Sequence, residues 1–304
     1  MSTTGQAGSP LETFSTATRA RFGDEADGWL AGVEALVAEL GTRWSVELGV
    51  ATATEEAYLV DVEREGERLR LELTYPDGWW PETTAALRAW SGDVTLRLVE
   101  DDPRGGRLLA RPEPVPERSD EDTALRDICV LAPRLWIAPP AGITTVAAEA
   151  RAWAGDLQAR HARAGHPFDR ELVRGATELL ATLGPTQGDR VLLHGDLHMT
   201  SLALADERRV LVEPRPLVGE REFDGASLVR DAPMSLLNDV TEGRRRVRDR
   251  FELLVDELGC NPSRLKGWAF ATAVDQGVWC AENGDHGDAT ALVETARMIR
   301  ALDA

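Results

Sequence analysis

Residues 68–73 alternate strictly, with Leu69, Leu71 and Leu73 on one side and Arg68, Arg70 and Glu72 on the other. A period of two with one apolar face predicts a half-buried strand. Similar runs at 44–50, 57–62, 94–99 and 107–110 predict further strands, and a helix with Pro81 in its first turn is expected over 81–90. Before them, Trp29, Val33, Leu36, Val37 and Leu40 recur at helical spacing within 11–40, a pattern that Gly41 is expected to stop. After the stiff connector Pro112-Glu-Pro-Val-Pro116 the pattern turns helical. Ser119-Asp-Glu-Asp122 looks like a capping box, and helices are expected at 144–164, 170–183, 241–258, 262–282 and 288–301. Three short strands at 191–193, 202–205 and 210–212 interrupt them. The implied class is α+β. A flexible tail is expected at 1–12 and an N-terminal lobe at 13–111, made of a helix, an antiparallel sheet and one main helix. A hinge at 112–118 leads to a mostly helical C-terminal lobe at 119–304, which carries a hairpin at 191–218.

The chain has 304 residues, enough for a real core in one two-lobed domain or two small ones. A net charge of −18 argues against nucleic acid as a partner, because phosphates need Lys and Arg. The acidity either only keeps the protein soluble or also draws cations, such as a cationic small molecule. Cys129, Cys260 and Cys280 make no C-x-x-C pair and are expected as buried thiols. The first ten residues lack a basic start and an apolar segment, and no apolar run reaches spanning length, so a cytoplasmic, membrane-free protein is expected.

The chemistry concentrates at Val191-Leu-Leu-His-Gly-Asp-Leu-His-Met-Thr-Ser201 and Glu213-Pro-Arg-Pro-Leu-Val-Gly219. A strand that delivers His-x-Asp-Leu into a loop is the layout of a kinase catalytic loop. With Glu222-Phe-Asp224 and Gly267-Trp-Ala-Phe-Ala271, this block resembles the aminoglycoside phosphotransferase superfamily, in particular its streptomycin 6-kinase / hydroxyurea phosphotransferase branch. The resemblance implies a protein-kinase-like, two-lobed fold, with ATP and magnesium as cofactors if the protein is active. It places Asp196 at the catalytic base and Ser201 and Glu213 at the two magnesium positions, usually Asn and Asp. His194, His198 and Asp224 become structural residues of the loop, the histidines bonding backbone or a carboxylate such as Asp224.

The same pattern puts the strand lysine that grips the ATP phosphates at Glu72. The helix glutamate that orients it falls at Thr83, beside Glu82. Lys266 is the only lysine, so no shift of register supplies one to the N-terminal strands; Arg70, one inward position away, is the nearest cation. A bare carboxylate facing a triphosphate would repel it by roughly 4 kcal/mol at 4 Å and an effective dielectric near 20. Two functions are therefore expected. The first is a degenerate, pseudokinase-like member that binds a small molecule, a peptide or a protein partner with little or no ATP turnover. The second is an active ATP-dependent O-phosphotransferase on a hydroxylated small molecule. Elsewhere, Trp79-Trp80 looks exposed, Trp268 and Trp279 fit a core pattern, residues 244–250 read as a solvated, ion-paired basic face, and 283–288 as a turn between helices.

Overall fold

The alternation at 68–73 becomes strand β3 (Glu67–Leu73) of a five-stranded antiparallel sheet in a computed structural model that describes residues 9–115, 121–231 and 239–303. The other strands are β1 (Glu47–Ala53), β2 (Tyr58–Arg64), β4 (Leu98–Asp102) and β5 (Gly106–Ala110), in the order β1-β2-β3-β5-β4. Leu69, Leu71 and Leu73 join Val60, Val62 and Leu108 in a core closed by Phe14, Leu30, Val33, Leu36, Leu40 and Trp44. Those last six come from α1 (Pro10–Phe22), α2 (Asp27–Leu30) and α3 (Val33–Arg43) and the residue after it. The opposite face of the sheet holds cross-strand neighbours that are mostly charged: Asp61 faces Arg70, and Glu72 faces both Leu59 and Arg107. Helix α4 (Trp79–Trp90) covers one end of this face, where Leu87 meets Leu96 and Leu109.

The chain divides into two units, residues 1–116 with 203–212, and residues 117–202 with 213–304. The hairpin β7 (Leu202–Ala205)–β8 (Arg208–Leu211), expected within the C-terminal lobe, thus clusters almost wholly with the N-terminal sheet. Ala203, Ala205 and Val210 share the Leu87 core, and Leu204 and Glu113 exchange backbone hydrogen bonds at 2.8 Å. Gly41 does not stop its helix. It lies inside α3, where a Cβ would come within 3.1 Å of the Leu48 side chain. The pattern at 11–40 instead breaks at Gly23, whose φ of 65° is left-handed. The run at 94–99 contributes only its end to β4, because Thr95 bridges to Leu211 instead. The 1–8 part of the tail, 116–118 of the hinge and 119–120 of the capping box lie outside the described residues.

The second unit is helical: α5 (Glu121–Leu135), α6 (Val146–Arg163), α7 (Arg170–Leu183), α8 (Glu222–Arg230), α9 (Val240–Leu258), α10 (Pro262–Glu282) and α11 (His286–Arg300). Helix α10 starts cleanly because Asn261 caps it through the Arg264 N–H at 3.1 Å and Pro262 follows. Its Trp268 is fully buried, edge-on to Phe223 at 5.4 Å, and Phe223 stacks on Trp153 at 6.1 Å. Trp279, expected in the core, is 55 % exposed, whereas Trp80, expected at the surface, is buried. In the basic run Arg245 and Arg246 do pair with Glu242. Arg250 instead turns inward and donates to the Asp231 carbonyl. Among the described residues no helix is long and apolar enough to cross a membrane.

A close backbone approach lies at the β4–β5 turn. Buried Asp102 accepts hydrogen bonds there from the Arg104 N–H and Nε, both at 2.9 Å, and pairs with Arg43 of α3. Arg104 chiefly, with Arg43, holds its carboxyl well below the usual range despite burial. Gly105 closes the turn at φ 103°, and a Cβ on it would sit 2.1 Å from the Thr74 carbonyl oxygen. Gly105→Ala is expected to cost about 2 kcal/mol or more, from a strained φ plus a backbone clash, read as a lower urea midpoint at unchanged slope.

Candidate active site

Strand β6 (Val191–Leu193) pairs antiparallel with β9 (Leu217–Gly219) and delivers the chain into the loop at 194–201. The turn needs glycine. Gly195 has φ 81°, and a Cβ there would lie 1.8 Å from the Arg215 carbonyl oxygen. The loop is then fixed from beneath by Asp224 in the first turn of α8. Its carboxylate accepts the Gly195 N–H at 2.8 Å, the His194 N–H at 3.0 Å and the Trp136 indole N–H at 3.1 Å. Burial pushes the Asp224 carboxyl up to about 6, against the pull of those three donors. It is the His194 main chain that Asp224 holds, so the residue's place in the loop is set through its backbone.

Asp196 follows, with its side chain one-third exposed. Three cationic side chains converge on it: His198 Nε2 at 3.8 Å, Arg215 Nε at 3.8 Å and Arg230 Nη2 at 3.9 Å. Each is ion-pair distance and beyond a hydrogen bond. Burial works against the charge on Asp196, but His198, Arg230 and Arg215 outweigh it and leave the carboxyl below its ordinary value. Asp196 in turn raises His198 above the usual imidazole value, against its burial. The other ring nitrogen, His198 Nδ1, lies 2.9 Å from Thr200 Oγ1 and 3.3 Å from Ser201 Oγ. Ser201 is buried, and its Oγ accepts the His198 N–H at 3.2 Å. Asp231 accepts the Met199 N–H at 2.7 Å. Glu213, just before Pro214, is exposed and held at φ 58°. A non-glycine residue held there marks a site where surrounding structure imposes the conformation. Among the described residues, no three His, Cys, Asp or Glu side chains are placed to hold a metal by themselves.

On the charged face of the N-terminal sheet, Glu72 is not the bare carboxylate that the sequence implies. Arg107, directly across from it on β5, donates to its Oε1 at 2.7 Å. The repulsion expected at this position is therefore largely cancelled within the pair. Arg70 is also engaged: its Nε and Nη2 both donate to Asp61 Oδ1, at 3.1 and 2.9 Å, while Arg111 takes Asp61 Oδ2 at 2.8 Å. Of the two threonines in α4 it is Thr84, one residue after Thr83, that is buried and meets the Arg107 Nε at 3.1 Å. Sequence reasoning missed Arg107, Arg215 and Arg230. Strand alternation alone could have put Arg107 on the same side as Arg111, but not opposite Glu72.

The His198–Asp196 pair sets a pH dependence. A raised imidazole contributes stability that is fully present below its unfolded value, about 6.5, and lost as pH rises through its higher folded value. The wild type is therefore expected to exceed His198→Gln in melting temperature by most below about pH 6.5, with the gap closing toward pH 9. A gap that does not change with pH would show that the ring acts through its shape alone.

A profile of the Aminoglycoside/hydroxyurea antibiotic resistance kinase family matches residues 38–284. A streptomycin 6-kinase from Streptomyces glaucescens is 32% identical over 92% of this chain and 93% of its own length. A hydroxyurea phosphotransferase from Kitasatospora aureofaciens is 32% identical over 84% of this chain and 76% of its own. Among solved structures, aminoglycoside phosphotransferase APH(4)-Ia superposes with a TM-score of 0.59 at 16% identity, covering 90% of this chain and 99% of that one. The fold is thus α+β and protein-kinase-like, of the aminoglycoside phosphotransferase type. Match and relatives span most of the chain, and the chain belongs to the aminoglycoside/hydroxyurea antibiotic resistance kinase family.

Proposed function

We propose that this protein is an ATP-dependent O-phosphotransferase that phosphorylates a hydroxyl group of a small molecule. The observation that carries the reading is Asp196, one-third exposed and kept ionised by His198, Arg230 and Arg215 on a loop whose shape Asp224 and Gly195 enforce. A general base must be ionised, reachable and held in one geometry, and Asp196 meets all three conditions. The acceptor oxygen attacks the γ-phosphorus and the bond to the bridging oxygen of ADP breaks. The hydroxyl proton passes to an Asp196 carboxylate oxygen. Arg215 and Arg230, beside the base, bring positive charge to where phosphoryl oxygens gather it.

Magnesium, if it is bound with the nucleotide, would supply positive charge against the phosphates. Glu213, exposed and fixed at φ 58°, fits it as a protein donor. The Ser201 hydroxyl fits less well, since it is buried and already bonded to His198. Relatives named for streptomycin and hydroxyurea favour a small polar acceptor, and the net charge of −18 suits a cationic one such as an aminoglycoside. One observation favours a second reading, a ligand-binding, pseudokinase-like protein with little or no turnover. The strand position that should carry lysine carries Glu72, and Arg70 beside it is tied to Asp61.

Melting curves with millimolar ATP and Mg²⁺, followed by ADP-release assays with streptomycin, hydroxyurea and other aminoglycosides, separate the two. The proposed function requires a rise in melting temperature and turnover of at least one acceptor. Asp196→Asn should lower kcat by about a hundredfold or more while keeping the ATP shift. A shift without product anywhere in the panel favours the second reading. No shift, or turnover indifferent to Asp196→Asn, sinks the proposal.

A further inference from the structure

Phosphoryl transfer in this fold needs a cation from the N-terminal sheet on the nucleotide phosphates. The only lysine, Lys266, is in α10 and donates to the Leu302 carbonyl. Arg70 and Arg111 share the two oxygens of Asp61. Arg107 differs from both. Its guanidinium is held from three directions, by Glu72 Oε1 of β3 at 2.7 Å, Thr84 Oγ1 of α4 at 3.1 Å and the Trp80 carbonyl at 3.2 Å. It also stacks over the Trp80 ring at 5.2 Å. Each nitrogen makes one of these bonds, so three of its five N–H groups have partners among the described residues. One N–H on each terminal nitrogen is left over. The side chain is only 7 % exposed, and buried donors of a charged group are seldom left unmatched.

We infer that Arg107 is the phosphate-gripping cation of the N-terminal unit and that Glu72 is its orienting carboxylate. The usual arrangement, a cation on β3 oriented by a carboxylate on the helix, appears here rearranged, with the sign at the β3 position reversed. The carboxylate is on β3, and the cation comes from β5 and reaches the helix through Thr84. The exchange keeps sheet and helix tied, keeps the pair neutral, and presents a planar, permanently charged donor in place of an ammonium. It explains how a chain with no lysine in this unit keeps a phosphate contact. The inference rests on the proposed nucleotide reading, which it deepens by naming the residue.

The test compares ATP with adenosine, because loss of a phosphate contact weakens only the first. Affinities are measured by calorimetry, with Mg²⁺ present, on the wild type and two paired variants. Glu72→Leu/Arg107→Met removes both charges together, so no lone buried charge remains. Glu72→Lys/Arg107→Glu restores a strand lysine with a carboxylate opposite. The first is expected to lose about ten- to a hundredfold in ATP affinity with adenosine unchanged, and the second to recover most of that loss. An apolar variant that binds ATP as tightly as the wild type, or loses ATP and adenosine equally, overturns the role of Arg107 and leaves the kinase reading intact. A wild type with no preference for ATP over adenosine overturns that reading, and this inference with it.

Discussion

A buried carboxylate that takes two consecutive backbone N–H groups decides the shape of the loop at 194–201. Asp224 sits under Gly195 and His194 and satisfies donors that a tight turn would otherwise leave unpaired in the interior. Burying that charge is unfavourable, and the upward push on the Asp224 carboxyl records it. The three donors offset the penalty only while they stay in place, so carboxylate and loop hold each other. Asp224 fixes the turn that leads into Asp196, and Ser201 Oγ holds the loop on the other side of it through the His198 N–H.

Charge is distributed unevenly on a finer scale than the net −18 conveys. Several acidic groups on helix surfaces meet arginines as exposed pairs of small energetic weight, such as Glu242 with Arg245 and Arg246. Around Asp196 the order is reversed, with one carboxylate and three cationic side chains within 4 Å. Arg230 is also largely buried, at the C-terminus of α8, where the helix dipole favours a cation. On the proposed reading, an acidic exterior would draw a cationic acceptor toward the protein, and the locally cationic loop would favour anionic phosphoryl oxygens.

Most of the architecture was legible in the sequence because it rests on periodicity. The strand at 68–73, the helices at 170–183 and 262–282 and the turn at 194–196 are all local signals, and all formed where the pattern put them. Placements decided by packing were not legible. Gly41 reads as a helix stop, yet it is retained in α3 because Leu48 fills the space a side chain would need. Trp80 and Trp279 exchanged their expected places because a tryptophan's surroundings depend on which helix face finds a partner. The hairpin at 202–211 joins the sheet through Glu113 and the Leu87 core, contacts about ninety to a hundred and twenty residues away in sequence.

The site shows the same division at a smaller scale. Asp196, Glu213 and the loop histidines lie in one short stretch, and the resemblance carried by that stretch named them as candidates. Arg107 is 35 residues from Glu72, and only the antiparallel register of β3 and β5 brings them opposite each other. A residue-by-residue comparison with a motif scores Glu72 as a lost lysine, because it tests one position for one charge. The electrostatics test something else: whether the pair of positions is neutral and whether a donor stands where phosphate charge arrives. On that criterion a carboxylate at the lysine's place is tolerable once a guanidinium faces it. Absence of the motif residue is then weaker evidence against activity than it looks, since an ion pair constrains the sum of its charges more tightly than their order.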